Sequence, residues 1–159
     1  MTTAAEIIAI LKLEPLPNEG GFFRQTYVSS VMQPGGRPAG TAIYFLITPE
    51  GFSALHTLAT EEVWHFYAGD AVELILLDLI THTGAKTLLG VDLSRGQRPQ
   101  FIVPAHTCQG ARLAPGGSWA LLGCTMSPGW DEREFTLDNR TALLAQFPDW
   151  SADIRALTR

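Results

Sequence analysis

The sequence of 159 residues has no apolar run approaching the roughly 18 residues that a membrane-spanning helix needs, so no bilayer span is expected. Positive charge is in the minority. Lys and Arg number 11 against 16 Asp and Glu, a net charge of −5, which withholds the basic surface that nucleic acid or an anionic membrane requires. Cysteine is nearly absent: Cys108 and Cys124 lie outside any C-x-x-C pair, which excludes a zinc knuckle and a thiol redox motif; two reduced core thiols are expected, a disulfide between them being open only if their strands are neighbours. A nucleophile elbow, a P-loop, an H-E-x-x-H helix and a dinucleotide glycine fingerprint are also missing. That excludes a serine hydrolase, a nucleotide hydrolase, a zincin and a Rossmann dehydrogenase. The opening Met-Thr-Thr-Ala-Ala-Glu lacks a basic n-region, and with no apolar run of membrane-spanning length a cytoplasmic location is expected.

What is present is the balance of one globular domain over residues 1–159, with 46% hydrophobic and 17% charged residues. Thr3-Ala4-Ala5-Glu6 has the form of a capping box, which predicts a helix over residues 3–13. Ile7, Ile8 and Leu11 share one face of it, and Pro15 and Pro17 prevent its continuation. From about residue 20 to 137 short apolar or alternating runs are separated by Gly and Pro turns, which predicts an all-β barrel or sandwich. The runs are Phe22–Val28, Thr41–Thr48, Ser53–Leu58, Glu62–Tyr67, Val72–Leu79, Lys86–Leu93, Gln100–Val103, Cys108–Leu113, Trp119–Thr125 and Glu132–Leu137. Helix returns over residues 139–158, capped by Asp138 or Asn139 and interrupted by Pro148.

Two of the four histidines fall between Gly51 and Gly69. Strand alternation puts Ala54, His56 and Leu58 on one face and Glu62, Trp64 and Phe66 on one face of the next strand. A hairpin pairing those faces is expected to bring His56 and Glu62 together beside a Trp wall, an arrangement suited to proton transfer or to holding a metal. His65 turns the other way and is expected to make a hydrogen bond outside the barrel, and Arg112 faces opposite to Gln109.

The order His56, Glu62, Gly69, then Pro104-Ala105-His106-Thr107-Cys108-Gln109 resembles the two cupin motifs. More narrowly the chain resembles the cupin-5 family, the domain of unknown function 985. The likeness runs through Glu19-Gly20-Gly21-Phe22-Phe23-Arg24, Thr41-Ala42-Ile43-Tyr44, Glu61 to Tyr67, Pro99-Gln100, Val103-Pro104-Ala105, Ala111-Arg112-Leu113 and Gly123-Cys124-Thr125. It implies a double-stranded β-helix, a jelly-roll barrel flanked by short helices. Two metal positions of the general cupin pattern are changed: Leu58 stands where the second His is expected and Gln109 where the motif-two His is expected. The resemblance therefore implies a cupin pocket with no cofactor; a divalent metal, if any, would be held by His56, Glu62 and Gln109.

The leading functional expectation is a metal-independent isomerase or epimerase acting on a sugar-like or small polar ligand, by analogy with the dTDP-sugar epimerases. His56 is its base and Tyr44 or Glu62 its partner. Trp64, Gln109, Arg24, Gln100 and Ser53 are the expected ligand contacts. The alternatives are a small-molecule binding or sensing module and a metal-dependent oxidoreductase with an incomplete site. The resemblance also implies a homodimer, since cupin barrels commonly dimerise by sharing strands, with Phe22–Val28 as the exchanged edge strand. His82 is expected in a solvated turn, His106 at the barrel rim in a position where cupins have Gly, and Glu132 and Glu134 on the wet side of a late strand.

Overall fold

A computed structural model describes residues 2–159. The capping box forms: the Thr3 hydroxyl accepts from the Glu6 amide at 3.3 Å and a Glu6 carboxylate oxygen accepts from the Thr3 amide at 2.8 Å. Helix α1 (Ala4–Leu11) follows and ends where Lys12 turns left-handed at φ 53°. A two-residue strand β1 (Glu14–Pro15), absent from the sequence expectation, then pairs with β2 (Phe22–Val28).

The barrel continues through β3 (Thr41–Ile47), β4 (Ser53–Leu58), β5 (Glu62–Gly69), β6 (Val72–Asp78), β7 (Thr83–Leu89), β8 (Gln100–Val103), β9 (Thr107–Leu113), β10 (Ala120–Met126) and β11 (Phe135–Leu137). Two antiparallel sheets result, in the orders β1-β2-β3-β10-β5-β8 and β11-β4-β9-β6-β7. This is the expected jelly roll, in which most successive strands from β3 onward alternate between sheets. Helices α2 (Arg140–Gln146), capped by the Asn139 side chain on the Ala142 amide at 3.1 Å, and α3 (Ser151–Ala156) close the chain. No helix among the described residues is long and apolar enough to cross a membrane.

Three layers of core hold the sheets. The inner faces pack Phe45, Ile47, Trp64, Phe66, Val72, Leu74 and Leu122 against one another. Outside the five-stranded sheet, Leu55, Ile75, Leu77 and Cys108 lie under Leu143, Phe147, Ile154 and Leu157 of the C-terminal segment. Outside the six-stranded sheet, Leu46, Phe22 and Tyr44 lie under Ile7 and Leu13. β6 is therefore covered on both faces, which is why its sequence reads as a continuous apolar run and does not alternate.

Two boundaries differ from expectation for local reasons. The strand expected over Glu132–Leu137 begins as a 3₁₀ turn, Glu132–Glu134, because the Asp131 carboxylate accepts from the Arg133 amide at 3.0 Å and starts it. The strand expected over Lys86–Leu93 is shifted to Thr83–Leu89. Asp78 accepts from the amides of Ile80 and Thr81 at 2.8 and 3.0 Å, so the turn closes earlier, with His82 left-handed at φ 56°.

Candidate functional site

One end of the barrel is open. A cavity of about 740 Å³ lies there between the two sheets, and the N-terminal residues from Lys12 to Glu19 and the segment carrying Trp130 and Phe135 complete its wall. β4 supplies His56 and Leu58, β5 supplies Glu62, β3 supplies Thr41 and Ile43, and β10 supplies Cys124 and Met126.

His56 and Glu62 both reach this cavity, but not through the expected hairpin. β4 pairs with β9 and β11 while β5 pairs with β10 and β8, so the two side chains approach from opposite sheets. Ala59, Thr60 and Glu61 carry the chain from one sheet to the other between β4 and β5.

His56 is 2% exposed. Its Nδ1 lies 2.7 Å from the Ala54 carbonyl oxygen and its ring stacks on Phe135 with centroids 5.2 Å apart. A carbonyl only accepts, so Nδ1 carries a proton, and Nε2 is the ring nitrogen left for the cavity that His56 lines.

Glu62 is 8% exposed. Its Oε2 accepts from Gln109 Nε2 at 2.8 Å and from Trp64 Nε1 at 3.1 Å, and Trp64 Nε1 also donates to Gln109 Oε1 at 2.8 Å. This closed triangle engages Oε2 and leaves Oε1 toward the cavity. Burial pushes the Glu62 carboxyl up to about 7; the nearby His56 opposes the shift and the Glu19 charge adds to it. A group balanced near neutral pH is matched to moving protons.

The other expected contacts divide into supports and misplacements. Trp64 and Gln109 hold the Glu62 carboxylate and do not line the cavity. Ser53, fully buried, donates to Glu19 Oε1 at 2.6 Å and acts on the site only through that residue. Arg24 stands exposed at the rim, its Nη1 donating to the Leu11 carbonyl at the end of α1 at 3.1 Å.

Tyr44 and Gln100 are corrections. On β3, Thr41, Ile43 and Phe45 point inward, so alternation turns Tyr44 outward, where it packs under α1 and sits edge-on to Tyr67 at 6.1 Å. It cannot serve His56 as an acid. Gln100 lies on the same outer face beside His65, at 3.2 Å from Nδ1, and His65 Nε2 is 3.0 Å from Thr125 Oγ1. Partial burial lowers the pKa of His65. Arg112 faces away from the cavity and pairs with Glu73 at 2.8 Å and Asp153 at 2.5 Å. His106 takes φ 62°, the left-handed conformation that explains why the cupin pattern has glycine at that place.

The sequence model described as "Cupin superfamily (DUF985)" matches residues 5–138. The chain belongs to the cupin-5 family.

Solved structures resemble this cupin over nine-tenths or more of its length. A protein of Shewanella oneidensis is 34% identical, the match covers 100% of this chain and 99% of that one, and the two superpose with a TM-score of 0.92. A hypothetical protein from Leishmania major is 32% identical over 99% of each chain, with a TM-score of 0.88. A cupin-2 domain from Rhodospirillum rubrum is 15% identical, the match covering 91% of this chain and 87% of that one with a TM-score of 0.64, and it speaks for the fold alone. No curated protein matches.

The metal that cupin barrels often hold does not fit this donor set. Leu58 puts a buried methyl group at the cavity wall, and both polar ends of Gln109 are engaged by Trp64 and Glu62. No three His, Cys, Asp or Glu side chains are arranged to hold a metal ion among the described residues.

Glu19, Cys124, Trp130 and Phe135 also line this cupin's cavity, and sequence reasoning does not single them out as site residues. For Glu19 the available signal is its place in the matching segment Glu19-Gly20-Gly21. Cys124 is no nucleophile: burial and the Glu62 and Glu19 charges hold its thiol well above the usual range.

Proposed function

We propose that this cupin binds a small polar, sugar-like ligand in the barrel mouth and catalyses metal-independent proton transfer on it, as an isomerase or epimerase. The observation that carries the reading is the meeting of His56 Nε2 and the Glu62 carboxyl in one cavity from opposite sheets. His56, its tautomer held by Ala54, removes a proton next to a carbonyl. Glu62, in acid form for part of its population near pH 7, returns one to the ligand. The triangle with Trp64 and Gln109 keeps that carboxyl in place through both protonation states.

Solution exchange tests this without knowing the substrate. The chain is incubated with a panel of aldoses, ketoses and their phosphates in deuterium oxide, and the carbon-bound protons next to the carbonyl are followed by NMR. We expect deuterium to enter one class of compound with the native chain and not with His56→Ala. A bound compound that returns unlabelled supports the second reading, a binding or sensing module, which the clamped His56 ring and aromatic wall favour. One metal ion per chain, lost in Glu62→Ala, supports the oxidoreductase reading.

Two further parts of the reading concern setting. Both cysteines are free and buried, which supports a cytoplasmic location. β1 covers only the Phe22 and Phe23 positions of β2, and the open edge beyond them supports a homodimer, testable by sedimentation.

A further inference from the structure

Three of the cavity's polar side chains turn acceptors into it, alongside Asn18, Gln25 and Thr41 on its wall. His56 offers Nε2, Glu62 offers Oε1, and Glu19, held through Oε1 by Ser53, offers Oε2. His56 and Glu62 are more than nine-tenths buried, so these are acceptors withdrawn from bulk water. The lining carboxylates are Glu14, Glu19, Glu62 and Glu132, against the cations Lys12 and Arg24. Both cations are exposed at the rim, and Arg24 is engaged by the Leu11 carbonyl. Four aromatic side chains, Phe23, Phe45, Trp130 and Phe135, give the same cavity π faces, which attract positive charge.

Inward acceptors without an inward cation, enclosed by aromatic rings, complement a ligand that brings donors and positive charge. We propose that the cavity is built for a small organic ammonium ion, its nitrogen seated between the Glu19 and Glu62 carboxylates and its carbon skeleton against the aromatic wall. The assignment rests on the barrel mouth being the ligand site and narrows the ligand class there to small polar molecules that carry an ammonium group; with such a ligand Glu62 stays ionised as the counter-ion, and His56, protonated in the first step, returns the proton in its place. It makes Glu19 a specificity-determining residue and gives Ser53 its purpose, since Ser53 directs the Glu19 carboxylate toward the cavity.

The test titrates the full chain at pH 8 with n-butylammonium chloride, n-butanol, sodium butyrate and, separately, manganese(II) chloride, following the His56 ring resonances and the melting temperature. The expected result is that butylammonium shifts His56 and raises the melting temperature, that butanol binds at least about tenfold more weakly, and that butyrate does not bind. Glu19→Gln and Glu62→Gln should each weaken butylammonium by about tenfold or more, the amide in each case keeping an acceptor for Ser53 or for Trp64 and Gln109. Gln100→Ala, on the outer face, should leave it unchanged. From pH 8 to pH 6 the affinity should fall about tenfold as Glu62 takes up its proton, with Glu19, His56 and Cys124 the titratable groups facing it and Lys12 and Arg24 the rim charges. Butanol or butyrate binding as tightly as butylammonium, or manganese binding in its place, overturns the ammonium assignment and leaves the mouth as a ligand site. A His56 signal silent to every probe overturns both.

Discussion

The two ends of the barrel are made from the same strands and bury different things. Toward the closed end, Ile47, Phe66, Val72, Leu74, Ala120 and Leu122 fill the space between the sheets, and several have no exposure at all. Toward the open end the strands carry Ile43, Glu62, Cys124, Met126, His56 and Leu58, and the space between them is a cavity. The Trp64–Gln109–Glu62 triangle separates the halves. A buried carboxylate is tolerated because this triangle satisfies it, so the closed end supplies the stability and the open end supplies the chemistry.

The comparison is most easily broken at the closed end. Leu122→Ala should cost about 2–5 kcal/mol in denaturant unfolding, because the packed surroundings cannot collapse around the void. Leu58→Ala at the mouth should cost only about 1–3 kcal/mol, since it widens a space already open and loses mainly the transfer of the side chain. Equal costs would mean that the mouth is closed in solution.

A second prediction concerns pH. Glu62 holds its proton to about 7 in the folded chain against an ordinary value of 4.5, so the native state binds the proton more tightly than the unfolded one. Its contribution to stability is fully present below pH 4.5 and is lost as the pH rises through about 7. The loss is on the order of 3 kcal/mol. Glu62→Gln should flatten the unfolding free energy between roughly pH 5 and pH 8; a slope that survives the substitution assigns the titration elsewhere.

Gln109→Leu has a smaller expected effect, about 1–3 kcal/mol, because Glu62 loses a donor and Trp64 an acceptor while their mutual hydrogen bond remains. The Glu62 pKa should rise further, read by NMR of the carboxyl carbon. The smallest effects are expected from Tyr44→Phe and Gln100→Ala. Neither should alter the binding of any cavity ligand, and a change above about twofold would place these outer-face residues back in the site.

Much of the molecule is legible in the sequence. The capping box at Thr3 and Glu6, the boundaries of β2 and β4, and the inward setting of His56, Leu58, Glu62 and Trp64 follow from local chemistry and a period of two. Tyr44 departs from its expected place although the same period applies to β3. The run Thr41 to Ile47 is covered on both faces, inward on the barrel and outward under α1, so hydrophobicity does not say which side faces the cavity. Glu19 gives no such signal at all, because it lies in a loop, where no periodicity points a side chain anywhere.

What the sequence determined by itself is the inventory: an acidic, cysteine-poor chain of short strands between helix caps, with the cupin-5 pattern and with Leu58 and Gln109 in place of two histidines. Those are properties of neighbours along the chain, where turn chemistry and alternation act. The tertiary structure alone decided that His56 and Glu62 meet across two sheets, that Gln109 and Trp64 face the carboxylate and not the ligand, and that Glu19 joins them. Those are consequences of sheet order and of burial, which depend on contacts between residues far apart in sequence and have no local signature.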